Sequence, residues 1–285
     1  MNIALSMTAW RRPQYFEEVL ESMVNAGAAS ITRIIISIDA GYAEEQEAMR
    51  SIAERLLPNA KVVCQEENLG CAGNTFYALN AAFADEDVEA VIHLEDDTLV
   101  HHQFFEYMRE ALPRYANNPR IWSIGGYNNG MFKHSITEDW GGNNVGLHDR
   151  FTCWGWATYR RVWDEVKDDW FGIKFVGQFD PAIYDDLQNF HATRLGGVGN
   201  EVGKLINSPD GSWAHPFNSY WRVLEPNRFE ITPDESLVQN IGEFEGVWTE
   251  AMTYAALQRT NRFHPNRNYM GWDFDMIDME LENYE

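Results

Sequence analysis

Val91-Ile92-His93-Leu94-Glu95-Asp96-Asp97 is an apolar run that ends in three consecutive carboxylates. A short apolar run bounded by charge reads as a buried strand, which puts the acids at its carboxyl end. Acids crowded at a strand terminus repel one another and lose hydration, so without a cation they burden folding. Mg²⁺ or Mn²⁺ suits the position. Both prefer hard oxygen ligands, take one or two protein carboxylates, and leave places for water and substrate phosphates. The expected partner is a metal-chelated diphosphate. The competing reading is a solvated loop carrying acids at its tip in an already acidic protein. What the rest of the chain brings to the same end of the sheet decides between them.

Upstream and downstream of this stretch, short apolar runs alternate with amphipathic ones. The pattern predicts strands over 3–8, 33–38, 61–64, 88–94 and 121–125, and helices over 13–26, 44–57, 72–84 and 103–115. In the first helix Tyr15, Phe16, Val19, Leu20, Met23 and Val24 recur at helical spacing behind Pro13, which suits a first turn. Strict alternation implies an α/β fold: a mostly parallel central sheet with helices on both faces. Ligands of such sheets sit at the carboxyl ends of the strands. Arg11 and Arg12 follow the first strand, Asp39 the second, Asn68 and Gly70 the third, and the acidic triplet the fourth.

The C-terminal half is loop-rich, with many Gly, Asn and Trp residues and no regular alternation. Residues 125–155 read as long functional loops, 160–167 and 217–224 as helices, and 227–231 as a strand. The tail after Tyr269, with Asp273, Asp275, Asp278, Glu280, Glu282 and Glu285, reads as a solvated end. No internal repeat or low-complexity linker divides the chain. The two halves are therefore expected to share one domain.

At 285 residues, 45% apolar and 14% aromatic, the chain can bury a substantial core. A formal net charge of −22 argues against a nucleic-acid duplex or an anionic membrane as a standing partner. No apolar run approaches the roughly 18 residues of a membrane span, and no signal core precedes the first strand. Cys64, Cys71 and Cys153 are an odd count without metal-ligand spacing. They read as small buried residues in a reducing cytoplasm.

The order of motifs carries a resemblance. TAWRRP (8–13), SIDAG (37–41), ENLGCAGNTFYAL (67–79), EDD (95–97), DRFTCWGWATYRRVW (149–163) and LVQNIG (237–242) together resemble nucleotide-sugar glycosyltransferases of GT-A fold. The similarity is to the N-acetylglucosaminyltransferase I group and to bacterial family 2-like relatives, over most of residues 1–249. It implies a nucleotide-sugar-binding half, 1–125, and an acceptor-binding and catalytic-base half, 126–285. It implies Arg12 and Asp39 against uridine, Asn74 near the base or ribose, Glu95 and Asp96 on sugar and ribose, and Asp97 as the ligand of Mn²⁺ or Mg²⁺. It sets Trp154 on the acceptor side of the cleft.

Physical alternatives stand beside each role. Arg11 and Arg12 could form surface ion pairs, Asp39 could cap the following helix, Asn68 to Gly70 could be only a turn, and Asn74 could be structural. One tryptophan of the Trp154–Trp156 pair is expected in the core, and His93 reads as a hydrogen-bonded core histidine. Inverting displacement at an anomeric carbon needs a base opposite the leaving group. Relatives carry an acid beside a tryptophan where this chain has Ser208-Pro209-Asp210-Gly211-Ser212-Trp213. Asp210 is therefore the candidate base, with His215 in reserve and Asp149, Asp185 and Asp186 as further acids of that half. The expected reaction is transfer of a sugar from a UDP-sugar to a hydroxyl on a glycan, protein or other acceptor. A sugar-phosphate nucleotidyltransferase would need a glycine-rich loop after the first strand, and residues 8–13 have no glycine. A carbohydrate-binding protein without catalysis would explain the tryptophans but not the acids.

Overall fold

The computed structural model describes residues 1–128, 145–148, 151–168, 170, 228–242 and 263–282. The first half alternates as expected: β1 (Ile3–Ala9), α1 (Pro13–Asn25), β2 (Ile34–Ile38), α2 (Ala43–Leu56), β3 (Lys61–Cys64), α3 (Gly70–Ala82) and β4 (Ala90–Glu95). Then follow β5 (Thr98–Val100), α4 (Phe104–Tyr115), β6 (Ile121–Gly125), β7 (Val145–His148), β8 (Trp156–Tyr159), α5 (Arg160–Val166), β9 (Phe229–Pro233), β10 (Val238–Asn240) and α6 (Asp275–Glu282). The expected helix over 217–224 lies outside the described residues.

Among the described residues one sheet holds eight strands in the order β3-β2-β1-β4-β8-β6-β9-β7. The β3-β2-β1-β4 block is parallel throughout, β8 runs antiparallel to both of its neighbours, and β6 is parallel to β9. The fold is thus α/β with a mostly parallel sheet. α1 and α2 pack together, while α3 packs on β1, β2 and β4, the arrangement expected when right-handed crossovers reverse direction after β3. β2 and β3 lie to one side of β1 and β4 to the other. The carboxyl ends of β1 and β4 therefore mark the switch point, the place at which open α/β sheets bind ligands.

Burial explains why these elements hold. Every residue of β2 is buried, β1 is buried from Ala4 to Ala9, and α1 turns Phe16, Val19, Leu20 and Met23 into the core behind Pro13. Trp122, Trp156, Trp163 and Trp170 are fully buried, so most of the described tryptophans build the core. His93 lies inside β4 with Nδ1 2.8 Å from Ser6 Oγ, a core histidine as expected.

Three expectations need correction. The acidic tail is no solvated end. α6 buries Ile277 and Leu281 with Phe274 ahead of it, while Arg114 pairs with Asp275 at 2.9 Å and Asp278 at 2.5 Å. Its apolar residues lie at i, i+3 and i+7, a stripe hidden among acids. Cys71, expected in the core, is exposed near the start of α3, while Cys64 and Cys153 are half-buried. The strands β5, β7, β8 and β10 were not anticipated, because runs of three or four residues hold no period of their own and form only by pairing with distant strands.

Glu230 on β9 is fully buried and accepts hydrogen bonds from Ser123 Oγ at 2.5 Å and from Thr152 N at 3.0 Å. Burial pushes its carboxyl up to about 8, against the pull of those donors. The folded protein thus keeps this proton while the unfolded chain has lost it above about pH 4.3. The contribution of this group to stability therefore falls as pH rises between those values. Glu230→Gln is expected to flatten the decline of the urea midpoint between pH 5 and 8; a slope equal to wild type would show the carboxyl to be ionised throughout.

Candidate active site

The acidic triplet ends β4 beside the carboxyl end of β1, and the first-strand loop bends to meet it. Arg11 has a φ of 60°, the one non-glycine residue with positive φ among those described. A side chain there costs roughly 1–2 kcal/mol. The turn separates the two arginines. Arg11 lies over Tyr42 at 4.2 Å and Trp10 at 5.1 Å and pairs with Glu45 at 3.3 Å, a rim position. Arg12 turns inward, its Nη2 on Asp96 Oδ1 and its Nη1 2.8 Å from Asp97 Oδ2. Trp10 N donates to Asp96 Oδ2 at 2.9 Å, and Asn240 Nδ2 donates to Asp97 Oδ1 at 2.9 Å.

Asp96 is 3% exposed and Asp97 7%, so neither is a loop tip in solvent. Burial raises the carboxyls of Glu95 and Asp96. Repulsion from neighbouring acids adds to this, and Arg12 opposes it. The Arg12 guanidinium, though penalised by burial, is held firmly charged by Asp96 and Asp97. One guanidinium against three acids leaves surplus negative charge whenever the acids ionise.

That surplus and the donor set fit a divalent cation. Among the described residues no group of three or more acid, histidine or cysteine side chains could enclose an ion. Asp97 Oδ2 faces Gly242, where a β-carbon would collide with it and would lie 2.9 Å from Arg12 Nη1. Asp97 Oδ2 therefore carries Arg12 Nη1 and packs against the Gly242 backbone, with Asn240 on Oδ1, so an ion there would share the oxygen with the guanidinium or displace it. A small hard cation completed by phosphate and water oxygens matches such a site better than one needing a full protein cage.

Other expected residues lie around this centre. Asp39 is buried and accepts from Ala40 N at 2.9 Å and Leu69 N at 2.8 Å, with its carboxyl raised by burial against those donors. It does not cap α2, whose first turn has no side-chain cap; it ties the end of β2 to the loop before α3. In that loop Asn68 Oδ1 accepts from Gly70 N at 3.0 Å. Asn74 is buried on α3, accepting from Ser37 Oγ at 2.5 Å and donating to Ser37 O at 3.2 Å. Trp154 is partly buried, edge-on to Tyr127 at 4.6 Å, while Trp156 lies in the core, edge-on to Phe151 at 4.7 Å. The structure thus brings Arg12, Asp96 and Asp97 into direct contact, and it gives no direct bond from them to Asp39, Asn74 or Trp154. Asp210, His215, Asp149, Asp185 and Asp186 lie outside the described residues. Sequence reasoning did not assign roles to Asn240 and Gly242; the LVQNIG motif was their only signal.

The fold and this site define a class: an α/β protein with an acidic, arginine-bridged cluster at the switch point of its sheet. The GNT-I family model matches residues 2–176, and the chain belongs to the GNT-I family. The resemblance to GT-A nucleotide-sugar glycosyltransferases read from the motifs therefore holds. Solved structures with similarity to the chain include S. aureus TarS 1-349, at 13% identity and a TM-score of 0.48, covering 84% of this chain and 60% of that one. GalNAc-T7 with UDP, GalNAc and Mn²⁺ matches at 9% identity and 0.43, covering 58% and 36%. Glucosyl-3-phosphoglycerate synthase from Mycobacterium tuberculosis, with Mn²⁺, UDP and glucosyl-3-phosphoglycerate, matches at 12% and 0.36, covering 56% and 57%. The match spans less than two thirds of the length of each of these structures. Among the described residues no helix is long and apolar enough to cross a membrane.

Removing the bridging cation should expose the crowding. Arg12→Ala leaves two buried carboxylates without their shared partner, which typically costs about 3–5 kcal/mol. The urea midpoint is expected to fall accordingly at pH 8 and to recover in part when Mn²⁺ is added. A loss below about 0.5 kcal/mol would show the pair to be no more than a solvated surface contact.

Proposed function

We propose that the protein is a metal-dependent inverting glycosyltransferase that moves a sugar from a UDP-sugar to a hydroxyl acceptor. The observation that carries this reading is the buried Arg12–Asp96–Asp97 contact at the switch point, in a chain of the GNT-I family. Asp97 would hold Mn²⁺ or Mg²⁺. When bound, the ion supplies Lewis-acid stabilisation of the departing diphosphate, worth several kcal/mol in the transition state.

The remaining roles belong to the chain's own groups. Arg12 has a planar fork suited to diphosphate oxygens, and its contact with both aspartates keeps it beside the place where a diphosphate would enter. Glu95 and Asp96 accept from sugar and ribose hydroxyls. Asp39, at the end of β2, accepts from the base N–H, and Asn74 supports that side of the nucleoside pocket. Trp154 offers a flat face for the acceptor sugar, while Gly155 beside it, at a φ of 61°, packs against Val238 and Leu94. Asp210, with His215 as the alternative, takes the acceptor proton, and attack from the face opposite the leaving group inverts the anomeric carbon. In this assignment residues 1–125 bind the donor and 126–285 the acceptor.

A screen of nucleotide sugars for slow hydrolysis tests the reading. One UDP-sugar is expected to be consumed with Mn²⁺ or Mg²⁺, a chelator to stop it, and Asp97→Ala to slow it by roughly two orders of magnitude. Turnover by Asp97→Ala at the wild-type rate would show that the acid does not hold the metal. Binding of free sugar without metal, and no donor consumption, would favour a carbohydrate-binding protein.

A further inference from the structure

Trp154 sits on a segment with no regular secondary structure of its own, residues 151–155, and that segment is pinned on both sides of the indole. On one side Thr152 donates twice to a single oxygen, Glu230 Oε1: from N at 3.0 Å and from Oγ1. On the other, Gly126 N donates to the Gly155 carbonyl at 2.7 Å, and Gly155 packs against Val238. The tryptophan lies between these attachments, partly buried and edge-on to Tyr127 at 4.6 Å. Tyr127 is fixed in turn, because Leu237 N donates to the Gly126 carbonyl at 2.8 Å and Asn128 N to Ser236 Oγ at 2.9 Å.

Glu230 reaches the segment from the interior. It is fully buried on β9, opposite Ser123 of β6, whose Oγ donates to its Oε2 at 2.5 Å. One carboxyl therefore joins β6, β9 and the chain ahead of β8. The fit is close: a β-carbon on residue 125 would lie 2.8 Å from Glu230 Oε1 and 2.9 Å from Thr152 Oγ1, so glycine at that position lets the two groups meet.

We propose that Glu230 is a positioning residue for Trp154. Its Oε1 holds Thr152, and through Thr152 it fixes the segment that carries the indole. The inference rests on the reading of Trp154 as an acceptor contact given above. A flat ring receives a sugar on one face, so the tilt of the indole decides whether that face is presented. Without Glu230 the Thr152 N–H and hydroxyl lose their shared acceptor. Thr152 is half-buried, and its donors recover partners by turning toward water, which carries Trp154 with them. A glutamine at 230 keeps one acceptor oxygen for Thr152 and has a donor for Ser123 Oγ, so it preserves the arrangement; an alanine does not.

Incorporation of 5-fluorotryptophan into the full chain lets ¹⁹F NMR read the indole directly, with Trp154→Phe identifying its resonance. The resonance is expected at the wild-type position in Glu230→Gln and displaced or broadened in Glu230→Ala. Thr152→Val removes only the hydroxyl bond, is expected to displace the resonance in the same sense, and serves if Glu230→Ala does not fold. Titration with methyl β-D-glucopyranoside, in excess UDP and Mn²⁺, adds a binding readout. The wild-type resonance is expected to move, Glu230→Gln to match it, and Glu230→Ala or Thr152→Val to bind the glycoside about 2- to 10-fold more weakly. A Trp154 resonance at the wild-type position in the folded alanine or valine variant overturns the positioning role and leaves the acceptor reading standing. Equal displacement in Glu230→Gln and Glu230→Ala also overturns it, because the acceptor oxygen is then not what holds the segment. A wild-type resonance unmoved by the glycoside, beside a displaced resonance in Glu230→Ala, overturns the acceptor reading and supports the positioning role.

Discussion

Two buried carboxylates share one guanidinium at the carboxyl ends of β1 and β4, and the site follows from that contact. Asp96 and Asp97 lose hydration and face each other, and Arg12 keeps them tolerable without fully neutralising the triplet. The parallel register of β1 and β4 places Thr8 opposite Glu95, so the residues just beyond both strands meet without any long excursion. Strained backbone at Arg11 directs its neighbour inward. Sheet order, loop conformation and charge therefore converge on one cluster.

Surplus negative charge at that site, present when the acids ionise, has a chemical use. A site already neutral would gain little from a cation, whereas one left partly uncompensated gains from any positive charge that also bridges to an anionic ligand. A diphosphate accompanied by a divalent ion supplies both. The same reasoning explains why the protein surroundings of Asp97 are donors: Arg12 on one oxygen, Asn240 on the other, and an adjacent glycine where a side chain would obstruct.

Much of this was legible in the sequence, and the reasons are local. β1 to β4 and the intervening helices carry their own periodicity, so Lys61–Cys64 and Ile121–Gly125 were placed to the residue and the others within about two. Arg12, Asp39 and the acidic triplet were legible as a group because each directly follows a strand in a parallel sheet. The hidden parts depend on distance in sequence. β8 enters the sheet between β4 and β6 although nothing in Trp156–Tyr159 alternates, and α6 disguises Ile277 and Leu281 among acids. Asn240 acts on a residue 143 positions away, so no spacing rule could connect the two. The single arginine that binds both aspartates was expected against the nucleoside; its ion pairs appear only once β1 and β4 are adjacent.

If the crowded acids are matched to a cation that bridges to diphosphate oxygens, metal and nucleotide must strengthen each other by the same factor. Calorimetric titration of UDP at zero and saturating Mn²⁺, paired with titration of Mn²⁺ at zero and saturating UDP, measures both sides of that cycle. The account predicts equal couplings of at least about tenfold, or 1.4 kcal/mol. UDP binding that is as tight in chelator as in Mn²⁺ would contradict it.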